Sequence, residues 1–594
     1  MKKFLFFLLL GSGYTYAQTT INTPTVSGTW NLAGSPYIIQ NEISVQANDV
    51  LTIEPGVEVK FQPTTRMEVL GQLIASGTFS NPIIFEAFDT TGWHNQLITT
   101  GGWSGIHIKP YAGSGTDNSI MNYCTIKDAK YGYATVMNYV EPLTIERGMK
   151  LHHATITHNQ TSSGAVGSGA CLRAQLYNSA DTLDIDHCDF SYNDGHPSVI
   201  NVTNPVGFCN FTNGHIHHNE RGSGITGLLA NMLIENNEID HNNTIYDSAP
   251  LYINAEKVVV RGNHIHHNVS PDHGGVTCNY GEVTIENNFI HNNYQTDASC
   301  GISEGGGGLN LTCFSSDLND AFFIVRNNII ANNYSALGGG GINVYQAVAC
   351  ITNNHIINNY SPNLGQAILI TQMYSRVYMR NNLFYNQSGP GNIESYDLIH
   401  VYNGSGIWFD YNFITSNYSE VVRTGFSYTL YGDTSHNVIG TNPGIILPTA
   451  DNSYLTDAGT ANFNINAGSP CINAGDTIGA YSSPVDYAYN SRIVNIIDIG
   501  AYEYGGNEPS GIEQETISTP LLVFPNPTES HSNFMVDLPE PNGDLMIFDL
   551  HGKIVYHQSV NTDLCILNLG DKKGIFFIQF KGATTQGRAK IMIR

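Results

Sequence analysis

The chain has 594 residues, too many for one ordinary globular core; at ~150 residues per domain the length suggests about four domains unless the chain repeats. Lys and Arg total 25 against 50 Asp and Glu, a net charge of −25, which excludes the basic face that nucleic acid or an anionic membrane surface requires. Hydrophobic residues at 41% and aromatics at 10% exclude general disorder, and 60 glycines point to many turns rather than long helices. The first element is an export signal. Lys2 and Lys3 precede an apolar run from Phe4 to Leu10, and Thr15-Tyr16-Ala17 supplies small residues for cleavage after Ala17. Residues 1–17 therefore read as a signal peptide. The run is too short to cross ~30 Å of hydrocarbon, and no membrane-spanning segment is expected later.

Export makes disulfides chemically accessible. Cys300 and Cys313 flank a Gly-rich insertion, where a bridge or two separate thiols are the alternatives. Cys124, Cys188, Cys209 and Cys278 fall on inward positions and read as buried thiols.

The middle of the chain repeats. HHATITHN (152–159), NGHIHHN (213–219), NNEIDHN (236–242), GNHIHHN (262–268), NNFIHNN (287–293), NNIIANN (327–333) and NNHIINN (353–359) are successive versions of one unit. Their central apolar residues, from Ile156 through Phe190 (in DHCDFSYN, 186–193), Ile216, Ile239, Ile265, Ile290, Ile330 and Ile356 to Phe384 and Ile414, stand between 23 and 40 residues apart. A short unit with variable insertions marks a solenoid, and each unit holds short β runs without helical period. A period near 25 suits one turn of a parallel β-helix, whose equivalent residues form columns ~4.8 Å apart. Apolar columns are expected at Met232, Val258, Val283 and Phe323, and at Ile234, Val260, Ile285 and Val325. Leu251/Ile253, Val276/Cys278 and Leu309/Leu311 begin a further inward pair. Asn237, Asn263, Asn288, Asn328, Asn354, Asn382 and Asn412 form one amide column; Asn219, Asn242, Asn268, Asn293, Asn333, Asn359 and Asn417 form another. Stacked amides bonding from coil to coil explain both. Glu235, Arg261, Glu286, Arg326, Thr352, Arg380 and Asp410 alternate in sign at the start and read as outward ion pairs between coils.

After Tyr504 the polar, Gly- and Pro-containing stretch 506–520 reads as a linker. Alternating runs such as LMIFDL and IFFIQF make 521–594 a small β-sandwich.

These features resemble the right-handed parallel β-helix proteins of the pectate-lyase-like superfamily, over roughly 25–505. TIEPGVEVKF (52–61) and LGQLIASGT (70–78) are similar to first-coil strands and turns of secreted β-helices, and SPCINAGD (469–476) with DIGAYEY (498–504) to their closing segment. The resemblance implies an all-β solenoid over residues 18–505. The end of the chain resembles the C-terminal sorting domain of the type IX secretion system of Bacteroidota. VFPNPT (523–528), LMIFDLHGKIVYH (545–557) and GIFFIQF (574–580), with a final KIMIR, carry that likeness. Pro525, Asn526 and Pro527 mark the entry, Gly552 and Lys553 a hairpin turn, and Gly574 the start of a late strand. The resemblance implies the type IX machinery as partner and the outer cell surface, anchored or released, as destination.

Chemistry is best sought on a His-rich face. Residues on either side of an inward anchor point outward. That stacks His217, Asp240, His266 and His291 in one column and His215, Glu238 and His264 in the next. Imidazole and carboxylate groups ~5 Å apart suit a transition metal such as zinc, or acid and base work; a merely solvated polar sheet is the alternative. His158, His218, His241 and His267 form a third column that reads as packing. Asp194, Asp247 and Asp272 occupy successive loops, as turn formers or as carboxylates for catalysis or Ca2+. Lys127, Lys130, Arg147 and Lys150 are a basic cluster, whereas residues 262–420 hold no Lys and only Arg326, Arg376 and Arg380, a poor cradle for an anionic polysaccharide. GGGG at 305–308 and 338–341 precedes strands, which argues against a phosphate loop. No cofactor is required by this reading; Ca2+ or a transition metal is what these side chains would take. The expected function is surface adhesion or glycan binding without catalysis, toward polysaccharide or a neighbouring surface. A polysaccharide lyase, hydrolase or epimerase and a structural surface component are the alternatives.

Overall fold

A computed structural model describes residues 18–506 and 518–594, outside the segments 96–97, 99, 111–117, 131–140, 162–170, 196–197, 204–205, 229–230, 245–248, 302, 315–320, 372–374, 386–396, 402–404, 416–420, 425–428, 431–435, 450–452, 478–482, 525–527, 529, 539–541, 549–553, 563 and 583–585. The signal segment, Asp247, Asn417, Pro525 to Pro527, Gly552 and Lys553 lie outside the described residues. The chain is all-β and divides into two compact units, one ending at Gly506 and the other beginning at Asn507.

In the first unit three long parallel sheets run the length of a solenoid that begins at Thr19–Ile21. One coil shows the plan. The strand Asn231–Glu235 lies in a 15-stranded sheet, here the upstream sheet. Glu238–Asp240 lies in a 16-stranded sheet, the anchor sheet. Leu251–Asn254 lies in a 14-stranded sheet, the downstream sheet, and Lys257–Arg261 then re-enters the upstream sheet. Each strand pairs in parallel with its equivalent one coil on. In the anchor sheet Phe190, Ile216, Ile239, Ile265, Ile290, Ile330, Ile356, Phe384 and Ile414 stand in one register, as the repeat requires. The upstream columns Met232–Val258–Val283–Phe323 and Ile234–Val260–Ile285–Val325 are likewise in register. All these side chains are buried in a single axial core.

Two amide ladders hold the coils together. Asn237 Nδ2 and its backbone N–H both donate to Asn263 Oδ1, and the pattern repeats through Asn288, Asn328, Asn354, Asn382 and Asn412 to Asn437. The second ladder starts earlier than expected, at Asn159, and passes through Asn193 and Asn219 to Asn359. Each amide also donates to a main-chain carbonyl of the preceding coil, as Asn268 does to Ile239. The residue before each ladder amide adopts a left-handed backbone: His218, His241 and His267 along one edge, Asn236, Asn287 and Asn327 along another. His and Asn tolerate that conformation better than most residues. The charge column pairs as expected, with Arg261 2.7 Å from Glu235 and Arg326 2.8 Å from Glu286.

The glycine runs pack coil against coil. Gly306 and Gly339 have positive φ, and a Cβ on Gly307 would lie 2.4 Å from the Gly340 carbonyl oxygen. The repeated GGGG thus serves close backbone approach between coils, not a phosphate.

The last coil strand in the anchor sheet is Val438–Gly440. The described residues of 441–506 add no further strand to the three long sheets, where the sequence suggested a solenoid to 505. They fold back over the outer face of the anchor sheet. Ile445, Ala458, Phe463, Ile465, Ile499 and Tyr502 form a second apolar cluster there with Ile329, Ala331, Ile357, Leu383 and Phe413. Asn287, Asn292, Asn332, Asn353 and Asn381 donate side-chain N–H groups to main-chain carbonyls of this cover.

The second unit is a β-sandwich. Its five-stranded sheet contains Gly574–Gly582 and Gln586–Ile593, its three-stranded sheet Phe534–Asp537 and Leu564–Leu567, and Leu545, Ile547, Phe576, Ile578 and Phe580 meet Phe534, Val536 and Leu567 in the core. Gly574 opens its strand, as expected. The linker is shorter than the sequence suggested, because Ser518–Pro520 already pairs in parallel with Gln586–Arg588. No disulfide forms among the described residues. Cys313 is buried, while the Cys300 thiol donates to the Asp297 carbonyl at 2.8 Å, so the proposed bridge is replaced by two separate thiols.

Candidate functional site

From Thr155–Thr157 to Phe413–Thr415 the anchor-sheet strands are three residues long, each with its middle residue buried in the core. The flanking residues must point outward. Where the cover lies on the sheet these flanks are mostly apolar, as at Ile329, Ala331, Ile357 and Leu383, with the buried His355 a polar exception. On the preceding coils they are polar: Asp189 and Ser191, His215 and His217, Glu238 and Asp240, His264 and His266. His291, at the margin of the cover, is 1% exposed. Register places His217, Asp240, His266 and His291 in one column and His215, Glu238 and His264 in its neighbour, as the repeat anticipated.

The carboxylates of this face are engaged by imidazoles. His215 Nε2 lies 2.5 Å from Asp240 Oδ1, and His241 Nδ1 lies 2.5 Å from the other oxygen. His217 Nε2 stands 3.0 Å from Asp189, and His266 Nε2 3.3 Å from Glu238. Burial opposes charge on both Asp240 and His215. The hydrogen bond between them outweighs it, so Asp240 is held well below the usual carboxylate range and His215 above the usual imidazole range. His264 and His291 behave in the opposite way. Burial first, and the neighbouring His266, push His264 down to about 4. Burial, with His264 as the largest charge against it, pushes His291 to about 2 despite its bond to Asn292. Their Nε2 atoms are 2.7 Å apart. One ligand atom from each of His264, His266 and His291 falls within 4.8 Å of the others, and Asp189–His215–His217 and His215–Glu238–Asp240 form similar groups.

The third His column packs at the corner. The rings of His218, His241 and His267 stack at 5.0 and 5.2 Å. Asp189 and Asp457 were not singled out from sequence. Asp189 precedes the anchor Phe190 and so occupies the position of His215 one coil earlier, a signal the repeat contained. Asp457 lies on the cover, 3.7 Å from His291 Nδ1, and no repeat position announces it.

Of the remaining candidates, the described Asp194 and Asp272 do not occupy equivalent positions of the repeat. Asp194 is paired with Arg221 and bridges in the main chain to Glu220. Glu220 is in register with Asn243, and Asn243 with Val269, so Asp194 is the equivalent of Val269 and not of Asp272. Asp247 lies outside the described residues. Three members of the basic cluster brace the structure: Lys127 binds Glu86 at 2.8 Å, Lys130 donates to the carbonyls of Gly92 and Thr100, and Arg147 is buried against the Gly71 carbonyl, while Lys150 is exposed.

The chain matches known families in two places. Residues 149–319 match the right handed beta helix region, and residues 522–594 the secretion system C-terminal sorting domain. No curated protein matches the chain. Among solved structures, the crystal structure of the periplasmic alginate epimerase AlgG aligns at 12% identity and a TM-score of 0.33, covering 70% of this chain and 84% of that one. That likeness carries nothing about chemistry. Fold and matches together define a right-handed parallel β-helix protein. Its C-terminal domain is a type IX sorting domain, which assigns it to the type IX machinery and to secretion at the outer surface. No helix among the described residues is long and apolar enough to cross a membrane.

Proposed function

We propose that this secreted β-helix is a non-catalytic binder of neutral polysaccharide, and that the uncovered part of the anchor sheet is its contact surface. One observation carries the reading. Thr155, Asp189, His215, Glu238 and His264 repeat hydrogen-bonding side chains at successive coils, in register and spaced by the sheet at ~4.8 Å. A periodic, open row of donors and acceptors suits a periodic ligand. The outward positions of this row carry no Lys or Arg, which disfavours an acidic polymer, and its carboxylates are engaged by imidazoles rather than converging on one point. The test is affinity electrophoresis of the purified chain in gels containing neutral or acidic polysaccharides, with reducing-end and unsaturated-product assays on the same panel. Retardation by a neutral polymer without turnover, weakened at least tenfold in a His217→Ala/Glu238→Ala variant, supports the proposal. Turnover of any polymer overturns it in favour of an enzyme, and no retardation overturns it in favour of a structural component.

A further inference from the structure

We propose that His264, His266 and His291, with Glu238 as a fourth ligand, form a binding site for one divalent transition-metal ion such as zinc. The three imidazoles come from two adjacent coils. His264 and His266 flank the buried Ile265, and His291 is the register partner of His266. The ring centroids of His264 and His266 are 4.0 Å apart, and those of His264 and His291 4.9 Å. Glu238 enters from the preceding coil, with Oε1 3.3 Å from His266 Nε2 and 3.9 Å from His264 Nδ1. Three imidazoles and one carboxylate are a donor set that zinc and its neighbours favour.

The hydrogen bonding around His291 fixes which nitrogen faces the site. Asn292 Nδ2 donates to the carbonyls of Tyr454 and Thr456, so its Oδ1 is the acceptor for the Ala458 N–H at 2.9 Å and for His291 Nδ1 at 2.8 Å. His291 therefore carries its proton on Nδ1, and its Nε2 presents a lone pair toward His264 Nε2 at 2.7 Å. A metal-bound imidazole is oriented in this way, its second nitrogen donating to an amide or carboxylate oxygen. The cover supplies that orientation, since Ala458, Tyr454 and Thr456 all belong to it. The other groups on this face are less suited, because Asp240 is already held by His215 and His241.

The groups facing the site from neighbouring elements are Asp457 and His267, whose Nε2 is 3.8 Å from Asp457 Oδ1. Neither is needed for the four-ligand set. The experiment uses the full secreted chain, stripped by chelator and dialysed, then titrated with Zn2+, Co2+ or Ca2+ alone. One equivalent of Zn2+ with micromolar or tighter affinity is expected, with Co2+ giving the visible absorption of a four-coordinate site and Ca2+ no heat. His264→Gln, a half-exposed position, is expected to weaken Zn2+ at least a hundredfold without moving the melting temperature of the metal-free protein; His266→Gln serves as the second variant. Zn2+ binding that survives His264→Gln and His266→Gln, or that is lost only in Asp189→Asn, overturns the assignment, as does no binding in the unaltered chain. The readout needs no polysaccharide, so it fails or succeeds independently of the glycan-binding proposal.

Discussion

Asn268 shows why an amide fills the inner corner of each coil. It is fully buried, and its Oδ1 accepts from both the backbone N–H and the Nδ2 of Asn242, while its Nδ2 donates to Asn293 and to the Ile239 carbonyl. Only a planar group with one acceptor edge and one donor edge can bond identically above and below. Replacing it with Ala strands the Asn242 donors and the Ile239 carbonyl in a site without water, at a cost of ~1–3 kcal/mol for each unsatisfied group. Asn268→Ala is therefore expected to destabilise the solenoid by about 3 to 5 kcal/mol, read from the denaturant midpoint. Arg261→Ala, which removes part-exposed ion pairs to Glu235 and Glu286, should cost about 1 kcal/mol or less. Equal costs for the two would refute the ladder account and make the Asn columns a turn preference only.

At the scale of elements, the strands and columns of the solenoid were readable because inward residues alternate with outward ones and each coil repeats the last. The cover was not, because SPCINAGD and DIGAYEY lie among short turns with no period. Its footprint was nonetheless written in the repeat. The left-handed corner residue is His at 218, 241 and 267, where the sheet is open, and Asn at 292, 332 and 358, where its side chain bonds the cover. The outward flanks change at the same point from His and Glu to mostly Ile, Leu and Ala, with His355 the exception. His355 sits under the cover, fully buried, and its Nδ1 accepts the Ala501 N–H at 2.6 Å. Burial, followed by the charge of Arg492, lowers it to about 3. The sign follows from linkage. A histidine that stays neutral when covered but protonates near 6.5 when released contributes its full stability above pH 6.5, and loses it as pH falls toward 3. Release of the cover, followed by limited proteolysis within 441–506, should rise up to tenfold per pH unit below about 6. His355→Gln keeps an acceptor and cannot be protonated. If its cleavage climbs as steeply as that of the unaltered chain, another group controls the cover.

At the scale of the molecule, two units close separate cores, one built from residues up to Tyr502 and the other from Leu521 to Ile593. The sandwich was legible from its alternating runs and from three ordered motifs, yet its first strand at Ser518–Pro520 was hidden in a polar stretch. The candidate site was legible as columns, but the approach of Asp457 and Asn292's bonds to the cover were not, because they join positions more than a hundred and sixty residues apart. The division of cores also divides the work. If each core is sufficient for its own unit, the address can be read by the secretion machinery without disturbing the solenoid. Deleting residues 507–594 should therefore leave the melting temperature of the first unit within about 2 °C, since no side chain of its core is removed. The same deletion should abolish surface display, measured as the fraction of protein cleaved by added protease on intact cells. Loss of folding on deletion would mean that the C-terminal unit supports the solenoid directly. Retained display would mean that the address lies elsewhere in the chain.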